Sequence, residues 1–429
     1  MTQGSPKKSK QDEVTIEDVR AKVHEFFGRE HDDGGKRVAA QDLMTMRTEC
    51  IAVGMHSRTR LIEMKKLQSF VQRELPGSED YLALNREPTI SDPPELGLGI
   101  FALKVMKKSE EADHVKNEAD ILSRLSYPFI VTLYHRFQDE RNLYLITEFV
   151  QHGTLNDFIQ RNSQLPNDTA RFLLAQIVMA MQFLHSEHVI FRNLSPQSVW
   201  LDRMNYIKLV DFSHAKAINL DDPSARTWSV VGEAEYMAPE MVSSRGHSKE
   251  VDWWALGIVL HEMLGGYPPF FSEKKIEIYA QIQKKDELVV PAHFDVHSKD
   301  LVKKLLVRDK SKRIGSSKNG AEDIKKHKWF RGLNWAALYN KQLPSEKMLA
   351  HPNGDPLGSY KKDDKGDEKP TGDGVPRLTQ ARTATGGADV CNFSKERSPT
   401  STDYPNSAEE QGPLLDPEKD AQLFAAWGK

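Results

Sequence analysis

The chain has 429 residues, 38% of them hydrophobic and 28% charged, with a formal net charge of −3 and a pI near 6.6. That is enough for one large or two ordinary domains plus tails, and the near-neutral balance gives no cause to expect nucleic-acid or membrane-surface binding. The two cysteines, Cys50 and Cys391, lie far apart and match no metal-ligand spacing, which excludes a disulfide framework and favours a reducing interior, cytoplasmic or nuclear.

The start, MTQGSPKKSKQDE, is polar, so neither a signal peptide nor myristoylation is expected, and no apolar run reaches the ~18 residues of a membrane span. Residues 1–94 read as an N-terminal extension with two amphipathic helices. In TIEDVRAKVHEFF, Ile16, Val19, Val23, Phe26 and Phe27 recur at helical spacing, with Thr15 and Asp18 placed as a capping box. In TRLIEMKKLQSFVQREL, the stripe Leu61, Met64, Leu67, Phe70 and Val71 predicts a second helix that stops at Pro76-Gly77. Both stripes are expected to dock on a neighbouring core.

The body follows. IFALKVM and NLYLITEFV read as strands, and DHVKNEADILSRL and DTARFLLAQIVMAMQFLHS as helices. Short β segments are expected around Ser195 and Asp211, and DWWALGIVLHEML reads as a buried helix. From about Gln342 the chain turns rich in Gly, Pro, Lys and Asp, which predicts disorder; apolar character returns only in DAQLFAAWGK.

In order along the body stand Lys104 in FALKVM, Glu118 in KNEADIL, the segment FRNLSPQS, the tripeptide DFS at 211–213, and MAPE, with Asp252 in VDWWALG and Arg313 in RDKSKRIG. This ordered set resembles a eukaryotic protein kinase. ARTWSVVGEAEYMAPE, SKEVDWWALGIVLHEMLGGYPPFF and KNGAEDIKKHKWFRGLNW narrow the resemblance to the AGC group, at the cAMP-dependent protein kinases and their X-linked relative. The resemblance implies an α+β, bilobal kinase fold. The N-lobe would occupy 95–148 and a mainly helical C-lobe 149–336. An AGC-like tail, largely disordered, would run over 337–429 with a degenerate hydrophobic motif at 424–427.

In that family the phosphates are covered by a glycine-rich hairpin. Here only Gly97 and Gly99 stand near the place, and Gly99 is five residues before Lys104, too close for a returning strand. A truncated N-lobe sheet without its first two strands is therefore expected. The resemblance implies an ion pair between Lys104 and Glu118, a metal on Asp211, and Ala102 as roof of the adenine slot. At the other working positions the residues depart from the family. Asn193 replaces the catalytic base and cannot take up a proton near neutral pH. Ser195 replaces a lysine that steadies the transferring phosphoryl, and Ser198 replaces the asparagine that holds a second metal. Trp200 stands at the adenine floor and is expected to fill the slot. Thr154 and Gln197 replace acids that receive basic substrates, whereas Glu262 persists, and Glu233-Ala234 replaces a Thr-Pro pair.

Other matches are intact: the apolar spine Leu122, Leu133, Phe191 and Phe212, and the anchoring pair Glu240 and Arg313. Ser229 matches the activation-loop phosphosite, with Arg192, Lys216 and His114 as its cationic partners. The departures together with these intact matches imply a scaffold or regulator with impaired or absent catalysis, binding ATP and Mg²⁺ feebly or not at all and requiring no cofactor. Expected partners are an upstream activation-loop kinase and a regulatory-subunit-like protein. The competing expectation is a weak Ser/Thr kinase for basic sequences that uses Lys104, Asp211 and an unconventional base.

Overall fold

The computed structural model describes residues 16–33, 36–53, 57–75, 99–108, 112–139, 141–202, 204–222, 224–284 and 288–343. The segment 76–98, which holds Gly97, and the tail from 344 on lie outside them, and with the tail go the expected disorder and the motif at 424–427. The chain divides into two compact units. Among the described residues the first takes 16–112 with Leu133–Phe149, and the second takes Asp113–Thr132 with 150–343.

In the first unit, helix α1 (Ile16–Phe27) buries Val19, Val23, Phe26 and Phe27 on one stripe, as its spacing predicts. A short hairpin, β1 (Glu30–Asp33) and β2 (Lys36–Ala39), follows. Then come β3 (Met44–Val53), β4 (Ser57–Met64), α2 (Leu67–Glu74), β5 (Ile100–Lys107), β6 (Leu133–Gln138) and β7 (Asn142–Glu148). Strands β3 to β7 form an antiparallel sheet in the order β3-β4-β5-β7-β6. On one of its faces, α1 and α2 close a core with Phe101, Leu103, Phe137, Tyr144 and Ile146. Phe27 meets Phe101 edge-on at 5.4 Å.

Two expectations are corrected here. The segment 57–64 is a strand, and only Leu67–Glu74 of the second apolar stripe is helical. Leu61 packs with Ile51 and Ala102, whereas Ile62 and Met64 join the α1–α2 core. Burial of successive residues on opposite faces is what a strand between two others produces, and β4 pairs on both edges, with β3 and with β5. The sheet is also not truncated: it has five strands. The two strands ahead of the Lys104 strand are present but lie upstream of α2, within the stretch read as an N-terminal extension. The five-residue step from Gly99 to Lys104 therefore sets no limit on the hairpin.

The second unit is mainly helical. Its elements are α3 (Ala112–Leu122), α4 (Leu155–Asn162), α5 (Asn167–Ser186), α6 (Pro239–Val242), α7 (Glu250–Gly265), α8 (Lys275–Gln283), α9 (Val296–Leu305), α10 (Ala321–Lys325) and α11 (Trp335–Tyr339). Every residue of α7 is buried, which its apolar character on all sides requires, and α5 and α9 pack beside it. Two small ribbons, β8 (Val189–Ile190) with β11 (Lys216–Ala217) and β9 (Val199–Leu201) with β10 (Ile207–Leu209), carry the loops that matter for chemistry. No helix among the described residues is long and apolar enough to cross a membrane.

Candidate active site

The loop 191–198 runs from β8 to β9 and is held from below by Asp252 of α7. This fully buried carboxylate accepts hydrogen bonds from the backbone N–H of Phe191 (3.1 Å) and Arg192 (2.8 Å) and meets His185 Nε2 at 2.8 Å. Three partners satisfy a charge that would otherwise be costly to bury. Phe191 and Phe212, both fully buried, pack edge-on at 5.0 Å beneath the loop.

Above this base three of the departures from the kinase pattern, Asn193, Ser195 and Ser198, are tied to neighbouring groups. Asn193 Nδ2 donates to Asp211 Oδ2 at 3.0 Å and approaches the Asp211 carbonyl at 3.4 Å. Ser195 Oγ donates to Glu233 Oε1 at 3.3 Å. The Ser198 hydroxyl is buried, donating to the Ser195 carbonyl at 3.0 Å and accepting from the Ser195 N–H at 3.1 Å. Gly232 brings the activation segment against the loop at φ +93°, where an added Cβ would meet the Arg192 carbonyl at 3.0 Å.

A divalent cation fits these groups poorly. Mg²⁺ asks for several oxygen ligands in near-octahedral array. Asp211 Oδ2 is engaged by an amide, and the Ser198 hydroxyl is committed to a peptide unit. No group of three or more His, Cys, Asp or Glu side chains among the described residues is arranged to hold a metal. Glu118 of α3 is buried, and its Oε1 accepts the backbone N–H of Phe212 at 3.3 Å. Trp200, partly buried in β9, pairs with Lys208 of β10 and bridges to Thr154. Thr154 caps α4: its hydroxyl accepts from the Asp157 N–H and donates to the Asp157 carboxylate, at 3.0 and 2.7 Å.

The residues expected to form a phosphosite converge in part. Arg192 Nη1 donates to Ser229 Oγ at 3.1 Å and to Thr227 Oγ1 at 3.3 Å, and Lys216 Nζ donates to Thr227 at 3.3 Å. Burial lowers the Arg192 pKa to about 10, against the opposing pull of Asp252. His114 lies in α3, but its side chain is outside the described ones. Glu240 of α6 and Arg313 form a buried two-point ion pair at 2.7 and 3.0 Å, and Arg313 also donates to the carbonyls of Glu250 and Val307. Tyr236 Oη donates to the buried Glu262 at 2.5 Å.

In the first unit, Lys104 sits mid-strand in β5, flanked by Thr59 of β4 and Leu145 of β7. Ala102 pairs with Leu61 and clusters with Ile51. Ala102, expected as a roof residue, therefore has apolar companions on a neighbouring strand, contrary to the expectation that this strand was lost.

A protein kinase domain model matches residues 98–330, more than half of the chain. The chain belongs to the protein kinase family. It is 42% identical over 248 residues to the human cAMP-dependent protein kinase catalytic subunit PRKX, covering 57% of this chain and 68% of that protein. It is 41% identical over 247 residues to the cAMP-dependent protein kinase catalytic subunit of Dictyostelium discoideum, covering 56% and 37%. It is 40% identical over 257 residues to catalytic subunit 3 of Drosophila melanogaster, covering 60% and 43%. This is a cAMP-dependent-kinase-like protein kinase domain, and its α+β architecture is that of the family.

Three residues of this kinase domain escaped sequence reasoning. Thr227, 1% exposed, receives both Arg192 and Lys216. His247, also 1% exposed, bridges to Thr227 through its backbone. Leu61 completes the apolar cluster around Ala102. Only Leu61 left a signal, as a member of an apolar stripe that reads as a helix.

Proposed function

We propose that this kinase domain has lost phosphoryl transfer and acts as a protein-binding scaffold or regulator. One observation carries the reading: Asn193, in the place of the base, donates to Asp211, in the place of the metal ligand. A base must accept the proton of the attacking hydroxyl, and an amide bound as a donor has no such capacity. Ser195 removes a cation from a reaction whose catalysis is largely electrostatic, and its contact with Glu233 leaves a carboxylate nearby. Ser198, tied to Ser195, supports feeble use of Mg²⁺, and the bulk of Trp200 supports feeble nucleotide binding.

The retained machinery suits binding. Trp228 is 63% exposed on the activation segment, and its ring rests on Gly246, where an added Cβ would meet Nε1 at 2.9 Å. An exposed aromatic on an anchored loop is a suitable interface anchor. Relatives named as catalytic subunits of a cAMP-dependent kinase support a regulatory-subunit-like partner. Ser229 is exposed and follows Arg226 at basophilic spacing, which supports modification by an upstream kinase. The test is phosphate transfer from ATP to basic Ser/Thr peptides. No turnover above a Lys104→Ala control is expected, and turnover abolished by that substitution would establish a weak kinase instead.

A further inference from the structure

We propose that Asn193 is a built-in substitute for a divalent cation, its amide holding the Asp211 carboxylate in place so that the segment 211–215 needs no metal. This deepens the reading above, and rests on it insofar as a metal-assisted reaction has been lost at this loop.

The segment is fixed from two sides. On one side, Phe212 is fully buried against Phe191, its N–H donates to Glu118, and the Ala215 carbonyl accepts from Asn117 Nδ2 at 2.7 Å. The Ala215 N–H closes a turn onto the Phe212 carbonyl at 3.0 Å. On the other side, the exposed carboxylate of Asp211 projects from a backbone at φ +59°, a conformation that must be held by its surroundings. Asn193 contributes to that hold with a hydrogen bond of 3.0 Å.

The sign of the contact depends on one atom. With Asp at 193, two carboxylates would meet at about hydrogen-bond distance and repel unless a cation or proton lay between them. The amide has the same shape but makes the contact an attractive N–H···O⁻ bond. Ser198 fits this arrangement, since its hydroxyl is turned into the loop and offers a cation no ligand. A single exchange, Asn193→Asp, should therefore convert an internal latch into a cation-requiring site.

The experiment is Mn²⁺ titration of the full chain, without nucleotide and at constant ionic strength, followed by thermal unfolding and by the electron paramagnetic resonance signal of free Mn²⁺. The wild type is expected to show no Mn²⁺-dependent shift and no bound ion at millimolar concentration. Asn193→Asp should melt about 3 °C lower without the ion, regain that loss with Mn²⁺, and bind one ion. Asn193→Leu should lose a similar amount and regain nothing. Should Asn193→Asp not fold, amide exchange of 211–217 carries the test: unchanged by Mn²⁺ in the wild type and about tenfold faster in Asn193→Leu. Stabilisation of the wild type by Mn²⁺, no cation response in a folded Asn193→Asp, or equal exchange in wild type and Asn193→Leu would overturn the proposal. If Mn²⁺ stabilises a wild type that is silent in the transfer assay, the latch fails and the lost-transfer reading stands. If a Mn²⁺-indifferent wild type transfers phosphate, the reverse holds.

Discussion

Arg192 donates through Nη1 to the hydroxyl of Ser229 at 3.1 Å. Its guanidinium is largely buried, its pKa is lowered to about 10 by that burial, and its other side-chain acceptors are the Thr227 hydroxyl and the His214 carbonyl. A buried cation facing neutral oxygens gains most from an anion. Phosphorylation of Ser229 should therefore tighten the loop by about 1–3 kcal/mol through charge-assisted hydrogen bonds, read as slower amide exchange over 224–232. Ser229→Ala should cost less than about 0.5 kcal/mol, because the residue is exposed. In pull-downs with a regulatory-subunit-like partner, phosphorylated wild type should be recovered best and Trp228→Ala least. Equal recovery of wild type, Ser229→Ala and Trp228→Ala would leave this face without the role assigned to it.

The pair Glu240 and Arg313 makes a different prediction. Both side chains are buried and bonded at two points. Removing one partner leaves the other charge buried and uncompensated, so Arg313→Ala should cost about 3–5 kcal/mol in urea unfolding. Glu240→Gln, which keeps the shape, should cost less. A loss from Arg313→Ala below about 1 kcal/mol would show that the anchor is not needed for stability.

Acid should destabilise the second unit through two histidines. Burial lowers His247 to about pKa 4, with Arg192 adding to the effect, and burial lowers His261 to about 4 as well. Their unfolded value is 6.5, so between pH 6.5 and 4 the unfolded chain binds protons that the folded chain refuses. Stability is full above pH 6.5 and falls as pH drops through that window, by about 1.4 kcal/mol per pH unit for each group at most. Unfolding midpoints at pH 7.5 and 5 measure it. His247→Gln and His261→Gln should each flatten the dependence, and curves parallel to wild type would exclude these groups as its source.

Much of the helical unit is legible in the sequence because its elements bury one kind of stripe or are apolar throughout. The expected helices over 168–186 and 252–264 lie within α5 and α7, as the one over 15–27 in the first unit overlaps α1. The sheet is less legible. Strand β4 carries Leu61 toward one face and Ile62 and Met64 toward the other, and with Leu67 and Phe70 following, the same residues also satisfy helical spacing. Contiguity places the hairpin directly before Lys104, but α2 and the segment 76–98 intervene. The candidate site residues are expectations drawn from motif order. Their mutual bonds, Asn193 to Asp211 and Ser195 to Glu233, join residues far apart in the chain and have no local signature.

The claim that phosphoryl transfer is lost is tested most directly by the initial rate of phosphate transfer from ATP to a basic Ser/Thr peptide, with Mg²⁺ or Mn²⁺. The wild type should be indistinguishable from Lys104→Ala, since loss of a positioned base alone typically costs on the order of 10² to 10⁴ in rate. Clear wild-type turnover that disappears in Lys104→Ala would contradict it.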